Sequence, residues 1–159
     1  MSGNLEVLRR LRVLEGLDDE HLTLLAAVAE EVSYPAGAVI FREGELARDI
    51  YLIVDGSVSL EVCGASVGCR RILTVTEGEL LGWSPVLEQT RLSATARALE
   101  PTRAVRLSGK QVLTLCEHDA RFGYEFMRRA ALALANRLNA TRLQLLNVYG
   151  HAMPTTDER

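Results

Sequence analysis

Histidine, cysteine and tryptophan are scarce in this chain: of 159 residues, three are histidine, three cysteine and one tryptophan. His21 and His118 fall at expected helix ends and His151 in the C-terminal tail, a scatter that offers no metal-ligand spacing. Cys63, Cys69 and Cys116 are an odd set, which argues against a disulfide framework. Cys63 and Cys69 flank a hairpin tip, where facing thiols would suggest a redox or metal switch. Without a CxxC spacing or a nearby histidine, buried or idle cysteines are expected instead. Long apolar runs are missing too. Residues 1–17 interrupt their leucines with Glu6, Arg9, Arg10, Arg12 and Glu15, so they lack the apolar core of a signal peptide, and no stretch is apolar enough to span a bilayer. A cytoplasmic protein with reduced cysteines is expected, without membrane contact. Nor is there a basic excess: 18 Lys and Arg against 21 Asp and Glu leave a formal charge of −3, with no electrostatic footprint for nucleic acid. No Ser-His-Asp or Cys-His arrangement, Walker loop or paired catalytic carboxylate stands at an interpretable spacing, so no enzyme is expected.

The apolar fraction of 48% is enough for one domain with a proper core. Leu5, Leu8 and Leu11 recur at helical spacing, as do Leu22, Leu25, Ala26, Ala29 and Val32 after the cap candidates Asp18 and Asp19. From Tyr34 to Leu107 the pattern changes to short apolar runs punctuated by glycine, at 38–41, 50–54, 58–62, 71–75, 93–98 and 103–107, the signature of an all-β sandwich or barrel. Asp55-Gly56 predicts a two-residue hairpin between the runs on either side, and residues 63–69 a longer hairpin tip. Ser108 is placed to cap a short helix through Cys116, and Asp119 to start a long one reaching about Val148.

That last helix carries a heptad-like stripe, Met127, Ala131, Leu134, Leu138, Thr141, Leu145 and Val148, which predicts a homodimer seam. A second stripe of Leu132, Ala135, Leu143 and Leu146 is assigned to packing on the chain's own sheets. The arginines Arg121, Arg128, Arg129, Arg137 and Arg142 read as a solvated face or as partners for carboxylates of the sheets. The expected organisation is an N-terminal helix over 1–13, a β domain over 14–118, the long helix over 119–149 and a disordered tail over 150–159.

Gly78-Glu79-Leu80-Leu81-Gly82-Trp83-Ser84-Pro85, followed by the strand-like Ser93-Ala94-Thr95-Ala96-Arg97-Ala98, reads as a glycine turn, a helical turn and a return strand that present backbone N–H groups to an anion. With Tyr34 to Glu45 and Asp49 to Val58 upstream, the chain resembles the cyclic-nucleotide-binding domain, in particular the sensor half of the catabolite activator and fumarate-nitrate regulator family. The resemblance implies a mainly β fold, an eight-stranded antiparallel jelly-roll barrel with N-terminal helices and a long C-terminal helix. It implies a ligand site at Gly82, Trp83, Ser84, Arg91, Leu92, Ser93, Ala94 and Thr95, with Thr141 of the long helix where relatives place a base-contacting threonine.

In such families a glutamate binds the ribose hydroxyl and an arginine pairs with the cyclic phosphate. Here Trp83 stands where that glutamate should be and Leu92 where the arginine should be. Arg91 lies one residue early, a shift that turns a strand side chain to the other face. It is either a rearranged pocket residue or an exposed loop arginine; Arg97 is the other candidate, with a solvated strand charge as its plainer role. A metal-binding cupin, also a jelly roll, would need a histidine cluster that is missing here. The expectation is a stand-alone sensor or regulatory module without cofactor or metal. It binds a small ligand other than high-affinity cyclic AMP or GMP and signals to a protein partner rather than to nucleic acid. The alternatives are a ligand-free scaffold, and a fragment of a longer transcription regulator, since no winged helix-turn-helix follows Val148.

Overall fold

The computed structural model describes residues 2–66, 68–82, 85 and 91–149. Helix α1 (Ser2–Arg10), a 3-10 turn (Arg12–Leu14) and α2 (Asp19–Ala27) open the chain. Leu8, Leu11, Leu14 and Leu17, then Leu22, Leu25 and Ala26, turn inward and are buried. The predicted continuation of the second helix through Ala29 and Val32 does not occur. The chain turns at Val28, and Ala29–Tyr34 forms β1, paired in six successive registers with a later strand. A three-residue apolar spacing fits a helix, but ladder pairing along the whole segment overrides it.

Strands β2 (Val39–Phe41), β3 (Asp49–Asp55), β4 (Ser57–Gly64), β5 (Gly68–Thr76), β6 (Leu80–Leu81), β7 (Thr95–Ala98) and β8 (Thr102–Ser108) follow. They make two four-stranded antiparallel sheets, ordered β1-β8-β3-β6 and β2-β7-β4-β5. The mainly β jelly roll with flanking helices is therefore as expected, with one correction: the two sheets face each other without closing into a barrel.

Asp55-Gly56 is the second correction. It does not join a hairpin, because β3 pairs with β8 and β6 while β4 pairs with β5 and β7. The positive φ of Gly56 (110°) instead turns a corner from one sheet into the other. A Cβ there would lie 2.5 Å from Thr102 Oγ1 and 2.8 Å from the Pro101 carbonyl oxygen.

The sheet containing β3 and β8 is covered on both faces, and side-chain alternation assigns each residue to a side. Ile50, Leu52, Leu80, Val105 and Leu107 meet the helices, together with Phe122, Phe126 and Ala130. Tyr51, Ile53, Leu81 and Ala104 point the other way, into a core between the sheets with Val58, Leu60 and Val75. Helix α3 (Gly109–His118) begins at Ser108, whose hydroxyl accepts the Gln111 N–H at 3.3 Å. Helix α4 (Ala120–Tyr149) begins at Asp119, whose carboxylate accepts the Phe122 N–H at 3.0 Å. Both predicted caps are in place.

Gly56→Ala is expected to lower stability by about 2 kcal/mol, since the new methyl meets both a wrong backbone conformation and Thr102. Urea unfolding measures this as a lower midpoint at an unchanged m-value.

Candidate ligand site

The glycine turn is built from backbone bonds. Gly78 N–H donates to the Ile53 carbonyl at 2.8 Å, and Ile53 N–H to the Glu79 carbonyl at 2.9 Å. The Glu79 carboxylate accepts from the Thr76 N–H at 3.0 Å and the Thr76 hydroxyl at 2.8 Å, which closes the turn. The two residues of β6 then pair with Tyr51 and Leu52, and Gly82 leaves the strand with φ 82°. A Cβ on Gly82 would stand 3.0 Å from the Asp49 carbonyl oxygen and within 3.7 Å of the Phe41 and Tyr51 rings. Glycine is required here by backbone geometry. Trp83 and Ser84, both expected at the site, lie outside the described residues.

On the return side, Leu92 is 8% exposed and sits in the core between the sheets with Phe41, Tyr51, Leu81, Ala94 and Ala96. Its backbone is fixed on both sides, Leu92 N–H donating to the Glu45 carbonyl and Gly44 N–H to the Leu92 carbonyl, each at 2.9 Å. Arg91 is exposed and donates to the Gly44 carbonyl at 2.7 Å, so it is the loop arginine of the two roles considered for it. Ser93 is exposed, and the buried Thr95 hydroxyl accepts the Glu43 N–H at 3.0 Å. Arg97 donates to the Gly37 carbonyl at 3.1 Å and lies 3.6 Å from Glu61. Of the expected return-strand residues, Leu92, Ala94 and Thr95 are buried, and Leu92 and Ala94 belong to the apolar cluster between the sheets.

The apolar cluster of that interior carries two phenols. The Tyr34 and Tyr51 rings meet edge to face at 6.5 Å, and burial pushes both hydroxyls above the usual tyrosine range, Tyr51 further. Arg106, directly opposite Tyr51 on β8, brings a partly buried guanidinium to the edge of this core, where it pairs with Glu30 and works against the rise in both phenols.

Residues 31–119, more than half of the chain, match the cyclic nucleotide-binding domain. The chain belongs to that family. It is 29% identical over 133 residues to the cyclic AMP receptor protein of Thermus thermophilus, covering 84% of this chain and 60% of the relative. To the cAMP-dependent protein kinase regulatory subunit of Schizosaccharomyces pombe it is 28% identical over 92 residues, 58% of this chain and 21% of that one. A solved structure from Geobacter metallireducens, described as a cyclic nucleotide-binding protein, aligns with a TM-score of 0.74 at 31% identity, over 84% of this chain and 96% of its own. The chain thus spans less than two thirds of either curated relative. Within this cyclic nucleotide-binding domain, the position where the resemblance calls for a phosphate-pairing arginine is a core leucine.

A separate cleft of about 660 Å³ opens beside the glycine turn, between the 3-10 turn, residues 73–74 and 78–80, and α4. Arg12, Arg128, Arg129 and Arg137 line it together with Glu15, Glu79 and Asn136. Arg129 pairs with Glu125 at 2.6 Å and donates to the Glu15 carbonyl at 2.8 Å. Arg137 donates to the Leu80 carbonyl, and burial lowers its pKa from the usual arginine value. The solvated or carboxylate-paired role expected of Arg137 is thus corrected, because its side chain folds inward onto the end of β6. The Leu134-Arg137-Thr141 spacing on the inward face was the available signal. Thr141 is half-buried and donates to the Arg137 carbonyl at 3.0 Å, a bond within its own helix.

The two stripes of α4 are also reassigned. Met127 and Leu134 of the predicted seam pack against the domain's own core, whereas Ala131, Leu138 and Leu145 are exposed. Leu132, Ala135, Leu143 and Leu146, expected against the sheets, face outward. The side chain of Val148 and residues 150–159, where the disordered tail is expected, lie outside the described residues. Among the described residues no helix is long and apolar enough to cross a membrane.

Arg137→Ala leaves the Leu80 carbonyl unpaired at the edge of the core, with an expected loss of about 1–3 kcal/mol. A lower melting temperature in Arg137→Ala, partly recovered in Arg137→Lys, is the corresponding calorimetric result.

Proposed function

We propose that this chain is a cytoplasmic regulatory sensor module that takes a small ligand other than high-affinity cyclic AMP or GMP and reports it through α4 to a protein partner. The observation that carries this reading is Leu92, packed in the core between the sheets where the family resemblance places the cation for a cyclic phosphate. Arg91 does not replace that cation, because it reaches outward to Gly44. A charge-assisted bond is worth about 1.5–3 kcal/mol, so its loss weakens cyclic-nucleotide binding by roughly tenfold to a hundredfold. The α4 cleft supports a ligand-binding role, since its volume is of ligand size and its mixed lining of arginines, glutamates and Asn136 suits a polar molecule. Movement of such a ligand's contacts on Arg137 would act directly on α4.

The outward leucines Leu132, Leu138, Leu143, Leu145 and Leu146 support association of α4 with a second copy, forming a two-fold homodimer. A protein target is favoured over nucleic acid, because the net charge is −3 and Arg121 and Arg129 on α4 already face Asp18 and Glu125. The ligand-free scaffold is the second reading, favoured by the filling of the interior by Phe41, Tyr51 and Leu92. A thermal-shift screen of nucleotides and metabolites separates the two, since a native-state ligand raises the melting midpoint and a scaffold has none.

Isothermal calorimetry with cyclic AMP and cyclic GMP is expected to show no saturable heat in the micromolar range; micromolar or tighter binding of either contradicts the proposal. In sedimentation, the wild-type chain is expected to be dimeric at about tens of micromolar, and Leu138→Glu monomeric, because a carboxylate would be buried in an apolar seam.

A further inference from the structure

The hairpin of β4 and β5 is paired in register from Ser57↔Thr76 to Gly64↔Gly68. Near its far end Cys63 stands directly opposite Cys69, with Cα atoms 3.9 Å apart and the two sulfurs bonded. This overturns the expectation of buried or idle, reduced cysteines: both are exposed, and strand register forces them together. We propose that Cys63 and Cys69 are a reversible dithiol–disulfide site that exchanges with small-molecule disulfides of the glutathione type.

Three observations carry the assignment. Neither cysteine belongs to either core cluster, so packing does not require the bond. Ladder pairs flank the two cysteines on both sides, so reduced thiols stay within reach and closure is intramolecular. Exposure of both residues lets an external thiol or disulfide approach, and exposed disulfides are the labile ones. Cys116 is different: it is half-buried, burial raises its thiol pKa, and it lies on α3.

In the oxidising direction, the thiolate of one cysteine attacks a sulfur of glutathione disulfide and releases one glutathione thiolate, leaving a mixed disulfide. The thiolate of the other cysteine then attacks the protein sulfur of that mixed disulfide and releases the second glutathione. The pair has lost two protons and two electrons, and one glutathione disulfide has become two glutathione thiols. Excess glutathione runs the same steps backward.

The hairpin tip is wired to the return strand. Cys63 N–H donates to the Glu43 carboxylate at 3.4 Å, and Glu43 N–H donates to the Thr95 hydroxyl at 3.0 Å. The neighbouring Gly44 and Glu45 hold the Leu92 backbone. Opening the disulfide releases a constraint at the start of this chain, so the segment from Glu43 to Glu45 is expected to loosen on reduction. The inference stands on the hairpin geometry and not on the ligand reading above.

The test is a titration of the full chain in glutathione buffers of graded ratio, quenched by alkylation and read by intact and peptide mass. The expected result is one transition to a species lacking two hydrogens, mapped to Cys63 and Cys69, with Cys116 alkylated throughout. C63S and C69S should each abolish it and C116S should keep it, with unchanged circular dichroism in all three. On reduction, amide exchange at Glu43 and Gly44 should speed up severalfold. Both cysteines remaining alkylatable in excess glutathione disulfide would overturn the proposal, as would a bond that resists a large excess of glutathione or a transition that survives in C63S. Unchanged exchange at Glu43 would overturn the coupling to the return strand.

Discussion

Strand β3, inside the sheet β1-β8-β3-β6, is buried on both faces, and the rest of the molecule is arranged around that constraint. Along β3 the alternation sends Ile50 and Leu52 to the helices and Tyr51 and Ile53 to the opposing sheet, all but Tyr51 fully buried. Fully burying one such side chain contributes about 1.5–3 kcal/mol, so a one-residue slip would exchange the two cores and forfeit both. Helix α4 is locked to the same sheet, with Phe122 and Phe126 stacked at 5.8 Å in the helix-facing core. A displacement of the sheet at β6 is therefore felt at α4, which holds the Leu80 carbonyl through Arg137.

The same constraint shapes the ligand question. The core between the sheets is lined by aromatic and aliphatic groups and by alanines, and Leu92 and Ala94 complete it from the return strand. An anion placed beside Leu92 would meet buried hydrocarbon and neutral phenols, while Arg106, opposite Tyr51, is already paired with Glu30. Four arginines and two glutamates line the cleft outside the sandwich, between the glycine turn and α4. The cyclic nucleotide-binding architecture and its glycine turn are retained, and a cleft with a polar lining opens on the helix side of β6.

Much of this was readable from residues. The positive φ at Gly37, Gly44, Gly56, Gly78 and Gly82, the Ser108 and Asp119 caps and the hairpin tip at residues 63–69 all have local signals, and local signals survive folding. What was not readable depends on long-range pairing. The segment Ala29–Tyr34 keeps a helical spacing yet joins a ladder with residues 68 to 78 positions away, from Tyr34 with Thr102 to Ala29 with Leu107. Leu80–Leu81 is too short to announce itself as a strand. Asp55-Gly56 supplies the same backbone turn to a sheet-to-sheet corner as to a hairpin, so the dipeptide alone does not distinguish them. The second stripe of α4 was misassigned for the same reason: two leucine stripes are equivalent until the sheet takes one side, and it took Met127, Ala130 and Leu134 and left Leu132, Leu143 and Leu146 outside. For Cys63 and Cys69, spacing located the tip, but only the register shows them opposite each other.

The central claim is that Leu92 is part of a filled core and not the wall of a nucleotide pocket. It is tested most directly by following the methyl resonances of Leu92, Ala94 and Ala96 by NMR while cyclic AMP is added to the native chain. The account predicts that these three signals stay fixed throughout the titration. Saturable shifts of all three at micromolar nucleotide would place the phosphate between the sheets and contradict it.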